Sequence, residues 1–273
     1  MIRIDIERVA YDYPGGVRAL DGVNLAVRPG ETLGIVGQNG SGKSTLVRHL
    51  NGLLRPTEGQ VLLDGSAVER RHVAELARLV GLVFQDPDRQ IFAGKVRTEV
   101  AFGPRNLGLR GAELDRRVVE ALEVVGLAGA ADENPYDLGY SRRKLLAIAS
   151  VLAMRTPIVV LDEPTTGQDL RGVARVRAIM AALAAEGRTV ITISHDMRFV
   201  AETVRRVVVM RAGRIVLDGT PADVFAAANW NVLASTYLEP PLAALVGARL
   251  GVGSTPTEAS LVEALGRADV HAG

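Results

Sequence analysis

Cysteine is absent from this sequence, which removes disulfides, thiolate metal sites and cysteine nucleophiles from consideration. Long apolar runs are absent as well, since none approaches the ~18 residues that a membrane-spanning helix needs. The opening MIRIDIERVAYDY alternates apolar and charged positions like a strand and lacks a secretory core. Net charge is nearly absent, at +1 from 32 basic and 31 acidic residues. It leaves no electrostatic footprint for nucleic acid, and the scattered pairs Arg70-Arg71, Arg116-Arg117 and Arg205-Arg206 read as solvated helix faces. There is no internal repeat and no low-complexity linker. The expectation is a cytoplasmic protein that acts at a membrane, if it does so, through partners.

What is present is enough apolar material, 48% of 273 residues, for one large α/β core and a smaller appendage. The runs TLGIV (Thr32–Val36), GLVF (Gly81–Phe84), PIVVL (Pro157–Leu161) and TVITI (Thr189–Ile193) lack polar alternation, as strands covered on both faces do, and imply a mainly parallel sheet. Residues Met1–Val9 and Gly22–Val27 alternate in antiparallel style, and Val207–Leu217 reads as a hairpin turning at Arg211–Arg214. Between Phe84 and Thr156 the pattern becomes helical, at Glu113–Val125 and Arg142–Met154, and implies an inserted helical subdomain. After Gly219 the composition shifts to Ala, Leu, Gly and Pro; PADVF starts a helix and Pro240-Pro241 breaks the pattern.

The strongest chemical signal is GQNGSGKST, Gly37–Thr45, which fits G-x-x-x-x-G-K-[ST] between a buried strand and a helix. Its glycines let backbone N–H groups turn toward phosphates at a helix N-terminus, Lys43 reaches the β- and γ-phosphates, and the Ser44 hydroxyl ligates Mg²⁺. VVLDEP delivers Asp162 and Glu163 to a strand end, one carboxylate to hold Mg²⁺ and the other to orient or deprotonate water. TISHD places His195 at another strand end on the same side, within reach of a γ-phosphate, and Gln85 at the end of GLVFQ is placed to ligate Mg²⁺. His49, His72 and His271 are assigned to packing.

These residues in this order resemble the ATP-binding subunits of ABC transporters over essentially the whole chain. The resemblance implies ATP and Mg²⁺ as cofactors, and an α/β P-loop fold with a mixed sheet core, an antiparallel β subdomain, an inserted helical subdomain and a small C-terminal helical appendage. It identifies Walker A as Gly37–Thr45, with Gly37, Asn39, Gly40, Ser41, Gly42, Lys43, Ser44 and Thr45 around the nucleotide. Walker B is Val159–Asp162, with Glu163, His195 and Lys43 catalytic, Ser44, Gln85 and Asp162 on the metal, and Asp169 ending the D-loop. Tyr13 matches the aromatic that stacks on adenine, with Tyr11 as second choice.

More narrowly, FQDPDRQIF, VAFGPRNLGL and the tail LASTYLEPPLAALVGARLG look like the energy-coupling factor group that powers vitamin and transition-metal uptake. On that resemblance residues 1–220 form the nucleotide-binding domain, with a helical subdomain over about 86–155, and 221–273 a C-terminal dimerisation segment. Implied partners are a second ATPase subunit, a transmembrane coupling protein and a substrate-binding membrane protein, not nucleic acid, at the cytoplasmic face of the membrane. In that group the membrane component brings arginines to the region of Asp86 and Asp88; a solvated turn around Pro87 is the other reading.

Two stretches depart from the pattern. Where the signature LSGGQ is expected, the chain reads LGYSR: Leu138 is kept, but Gly139 replaces Ser, Tyr140 and Ser141 replace the glycines, and Arg142 replaces Gln. In TTGQD a Gln stands where Leu usually precedes Asp169. The expectation is an asymmetric pair in which Gly139, Tyr140, Ser141 and Arg142 face the partner's ATP, and the partner, a different subunit, carries an intact signature. Arg142 either contacts that phosphate, points to solvent, or ties its helix to an acidic residue of this chain. Other classes remain open: a non-transport ABC ATPase acting on nucleic acid or ribosomes, another class of ABC importer, and a P-loop kinase.

Overall fold

The computed structural model describes residues 2–271, and side chains as far as Arg267; the expectation for His271 lies outside the described side chains. The chain opens with β1 (Ile4–Tyr13) and β2 (Val17–Val27), then runs through β3 (Thr32–Val36) into α1 (Lys43–Leu50). Strands β4 (Glu58–Leu63) and β5 (Ser66–Ala67) and the single turn α2 (Val73–Leu76) precede β6 (Val80–Val83). Helices α3 (Val96–Asn106), α4 (Gly111–Val125) and α5 (Tyr140–Leu152) separate β6 from β7 (Ile158–Asp162). Then α6 (Leu170–Ala185), β8 (Thr189–Ile193), α7 (Met197–Thr203), β9 (Arg206–Arg211) and β10 (Arg214–Gly219) complete the sheets. Helices α8 (Pro221–Val224), α9 (Trp230–Ala234), α10 (Leu242–Arg249) and α11 (Glu258–His271) follow.

The main sheet has the order β10-β9-β3-β8-β7-β6. Strands β9, β3, β8, β7 and β6 are parallel, and β10 closes one edge antiparallel to β9. The smaller sheet, β2-β1-β4-β5, is antiparallel throughout.

The apolar runs are continuous because the main sheet divides them between two cores. Leu33, Ile35, Leu82, Val160, Ile191, Ile193 and Met210 face the antiparallel sheet and α1. Their neighbours Val36, Val83, Val159, Leu161, Val190 and Val209 face the helices. Successive side chains of a strand point to opposite faces, so a strand covered on both sides needs apolar residues at every position. Each fully buried Val, Leu or Ile contributes about 1.5–3 kcal/mol, which holds the two layers on one sheet.

Differences from the sequence reading have local causes. Strand β6 stops at Val83, one residue before the end of GLVF, because the ladder to β7 ends at Val83↔Leu161. Strands β4 and β5 and helix α3 were not legible as separate elements. EGQVLL carries a glycine and polar residues on its exposed half, and α3 holds Gly103-Pro104, an ordinary breaker, close to its end. Glu99 in α3 is buried and accepts from the N–H groups of Phe92 and Ala93, which anchors that helix to the loop before it.

Candidate active site

Four parallel strands end on one side of the sheet, and the residues that follow β3, β6, β7 and β8 meet there, the placement expected for a ligand crevice in an open α/β sheet. One cleft is lined by Tyr13, Lys43, Ser44, Gln85, Asp162 and Glu163. A second, beyond Glu163, is bounded by Asn39, Thr166 and His195 and, from the C-terminal segment, by Tyr237 and Pro240.

The glycine-rich loop runs from Gly37 to the first turn of α1. Gly42 caps that helix at φ +101°, and a Cβ there would stand 2.6 Å from the carbonyl of Ala19; only glycine fits both the conformation and the space. Lys43 Nζ donates to the carbonyls of Gly37 (2.7 Å) and Gln38 (2.9 Å), folding the loop around its own cation. Burial lowers the Lys43 pKa, and Glu163 and Asp162 work against that shift. Gly40, Ser41 and Thr45 belong to the same loop, and the Ser41 hydroxyl is buried without a protein partner.

Tyr13 stands at the cleft and its hydroxyl lies 3.1 Å from Thr45 Oγ1. Tyr11 packs edge-on against both Tyr13 and the buried His49 instead. Position 13 is therefore the aromatic that borders the cleft, and residue 11 supports it.

Asp162, the last residue of β7, is 2% exposed. Burial raises its pKa, and a hydrogen bond from Ser44 followed by the charges of Lys144, Arg48 and Lys43 oppose the rise. Its Oδ1 is buried with no protein partner. An orphaned carboxylate oxygen, the Ser44 hydroxyl beside it and the Gln85 amide on the same wall make an oxygen donor set suited to Mg²⁺, which takes few protein ligands and completes its shell with water and phosphate. Among the described residues no cluster of His, Cys, Asp and Glu offers an all-protein metal cage.

Glu163 is 6% exposed and has φ +50°, an uncommon conformation for a non-glycine residue. Its Oε2 lies 2.8 Å from His195 Nδ1 and 3.4 Å from Thr166 Oγ1. A buried carboxylate held by an imidazole and a hydroxyl, on the same cleft as the glycine-rich loop, is placed to orient or deprotonate water. Thr166 was missed in the sequence, where TT reads as an ordinary loop.

The stretch Gly139–Arg142 is engaged within the chain. Gly139 caps α5 without a side-chain hydrogen bond. Ser141 Oγ donates to Gln168 Oε1 (2.8 Å), and Gln168 Nε2 donates back to the Ser141 carbonyl (3.0 Å). The ring of Tyr140 lies against Gly167, where a Cβ would meet it at 2.7 Å. Arg142 pairs with Glu133 at 3.6 Å with both side chains about half exposed, a contact worth at most ~1 kcal/mol. That contact is the tie to an acidic residue of its own chain, and about half of the Arg142 side chain still faces solvent. Asp169 caps α6 by accepting from the N–H of Gly172.

Residues 20–166 match the ABC transporter family. The energy-coupling factor transporter ATP-binding protein EcfA of Methanothermobacter thermautotrophicus is 43% identical over 224 residues, 81% of this chain and 72% of that one. The structure of cbiO1 from Clostridium perfringens, part of the ABC transporter complex cbiONQ, is 36% identical with a TM-score of 0.73, over 85% of this chain and 93% of that one. A dimeric ATP-binding cassette, MJ0796, bound to ADP and Pi in a post-hydrolysis state, is 27% identical with a TM-score of 0.73, over 80% of this chain and 98% of that one.

Proposed function

The chain belongs to the ABC transporter family and, within it, to the ATP-binding proteins of energy-coupling factor transporters, and on that premise we propose that it is the hydrolytically complete member of an asymmetric ATPase pair. Its activity is ATP hydrolysis in an importer, and the solute is a vitamin or a transition-metal ion selected by a membrane partner. It sits peripherally at the cytoplasmic face of the membrane; among the described residues no helix is long and apolar enough to cross one. Residues 221–273 serve as a dimerisation segment, and Tyr237 and Pro240 bring that segment to the border of the site.

In its own site Tyr13 stacks on adenine, and Lys43 with the backbone N–H groups of the loop holds the phosphates. Ser44, Asp162 and Gln85 hold Mg²⁺, which neutralises phosphate charge when bound. Glu163 takes or orients the proton of the attacking water, a contribution of typically 10²–10⁴-fold. His195 fixes the Glu163 carboxylate from the exposed side, where a partner subunit closes on it.

The observation that carries the asymmetry is the reciprocal hydrogen bond between Ser141 and Gln168. The only hydroxyl of LGYSR that resembles the missing signature serine is committed to its own D-loop, and Gly139 has none to offer. Loss of a hydrogen bond to a charged group costs roughly 1.5–3 kcal/mol, enough to slow assembly of a competent partner site more than tenfold. In the reconstituted complex, Glu163→Gln is expected to remove most ATPase activity, and the equivalent Glu→Gln in the partner to spare most of it. Equal losses, or the reverse ranking, would overturn the asymmetric reading.

A further inference from the structure

Lys144 lies in the first turns of α5, next to the departing signature, and its side chain is fully buried. Its Nζ donates to three main-chain carbonyls: Phe84 (3.1 Å), Gln85 (2.5 Å) and Asp162 (3.1 Å). An ammonium has three donors, so all are used. The acceptors are not a random set. The parallel ladder between β6 and β7 ends at Val83↔Leu161, and the main chains part beyond that point, one toward Gln85 and the other into Asp162. Lys144 bridges the fork where the ladder stops.

Burial lowers the Lys144 pKa to about 8, against the opposing charges of Asp162, Glu163 and Asp86. Among the described residues its ammonium makes no ion pair with a carboxylate, so those charges offset the desolvation only in part. A buried cation is costly, and an apolar side chain of similar volume is often the more stable choice for a fold. The same loop is gripped a second time, because Gln90 accepts from the Phe84 N–H (3.1 Å) and donates to the Ala147 carbonyl of α5 (2.9 Å).

We propose that Lys144 is a positioning residue for ATP hydrolysis, its ammonium fixing the main chain of Gln85 relative to that of Asp162 and so setting the separation of their side chains, an inference that rests on the reading of both residues as metal ligands. Lys144 does not touch nucleotide; it acts through the two main chains that it joins. It also makes the start of α5, the Gln85 loop and the end of β7 move together, so a shift of the helical subdomain reaches the metal site directly.

The test uses the purified full chain and a fluorescent ATP analogue, titrated in EDTA and then with Mg²⁺. Lys144→Met should leave affinity in EDTA unchanged, while the Mg²⁺ concentration for half-maximal tightening rises ~10–100-fold, as loss of groups that orient metal ligands does. Lys144→Gln, with two donors, should recover part of that loss, and it carries the same comparison if Lys144→Met does not fold. Asp162→Asn serves as the control and should abolish the Mg²⁺ response. A normal Mg²⁺ response in both Lys144 variants, or an equal fall of affinity in EDTA, overturns the positioning role alone when Asp162→Asn behaves as expected. A normal Mg²⁺ response in Asp162→Asn overturns the metal-ligand reading, and the role of Lys144 with it.

Discussion

Arg143 Nε lies 2.9 Å from Asp88 Oδ1, an ion pair between the first turn of α5 and the loop that follows Gln85. The same guanidinium donates to the Leu138 carbonyl at 2.6 Å. Asp88 therefore has an arginine of its own chain. Asp86 is less committed: its carboxylate accepts from the Asp88 N–H and, among the described residues, its one ion pair is a loose 3.7 Å contact with the exposed Arg89. If a membrane partner brings an arginine to this loop, Asp86 is the carboxylate to receive it, because a loose, exposed ion pair contributes little and is readily exchanged for a closer one. Asp86→Asn should weaken copurification with the membrane components more than Asp88→Asn does. Equal assembly in both variants argues for the solvated turn.

Two substitutions separate binding from chemistry in the site. Glu163→Gln should keep ATP affinity and lower turnover by about 10²–10⁴-fold, the range for a general base. Lys43→Ala should weaken nucleotide binding itself. Equilibrium binding beside steady-state turnover distinguishes them, and near-normal turnover in Glu163→Gln would remove that residue from its role.

Gly42 and Gly40 give a paired test of the phosphate loop. Both have positive φ, but a Cβ at Gly42 would strike the Ala19 carbonyl at 2.6 Å, whereas nothing lies within 4 Å of one at Gly40. Gly40→Ala should cost about 1–3 kcal/mol of local strain. Gly42→Ala should cost more and lower nucleotide affinity more. Thermal unfolding and ATP titration of both variants check the ranking.

His49 predicts a slope in stability against pH. Burial depresses its pKa, and the Thr45 carbonyl only partly opposes this. The unfolded chain then binds a proton below about pH 6.5 that the folded chain refuses, so stability is full above that value and falls as pH drops. One such proton gives a slope of at most ~1.4 kcal/mol per pH unit. His49→Gln should lower the unfolding temperature at every pH yet flatten its decline between pH 6.5 and 5. A parallel decline in parent and variant would show that other groups carry the dependence.

The residues proposed for chemistry at each strand end were legible locally. GQNGSGKST, VVLDEP, TISHD and the Gln85 position are local patterns, and a strand-loop-helix unit forms from short-range propensity and turn chemistry. Continuous apolar runs also announced a sheet covered on both faces. How those ends relate was not legible. The order β9-β3-β8-β7-β6 brings Lys43, Gln85, Asp162 and His195 to one edge, and strand order depends on long-range pairing that no local window contains. The pairing of Ser141 with Gln168 and of Arg142 with Glu133 is likewise visible only in the folded chain. Lys144 shows the limit most clearly. In sequence it is one more cation in SRRK, on the same helical face as Ala147, Ile148 and Val151, and that face was the only hint of burial. Its partners are main-chain carbonyls from two distant strands, and carbonyls leave no residue-specific mark in a sequence.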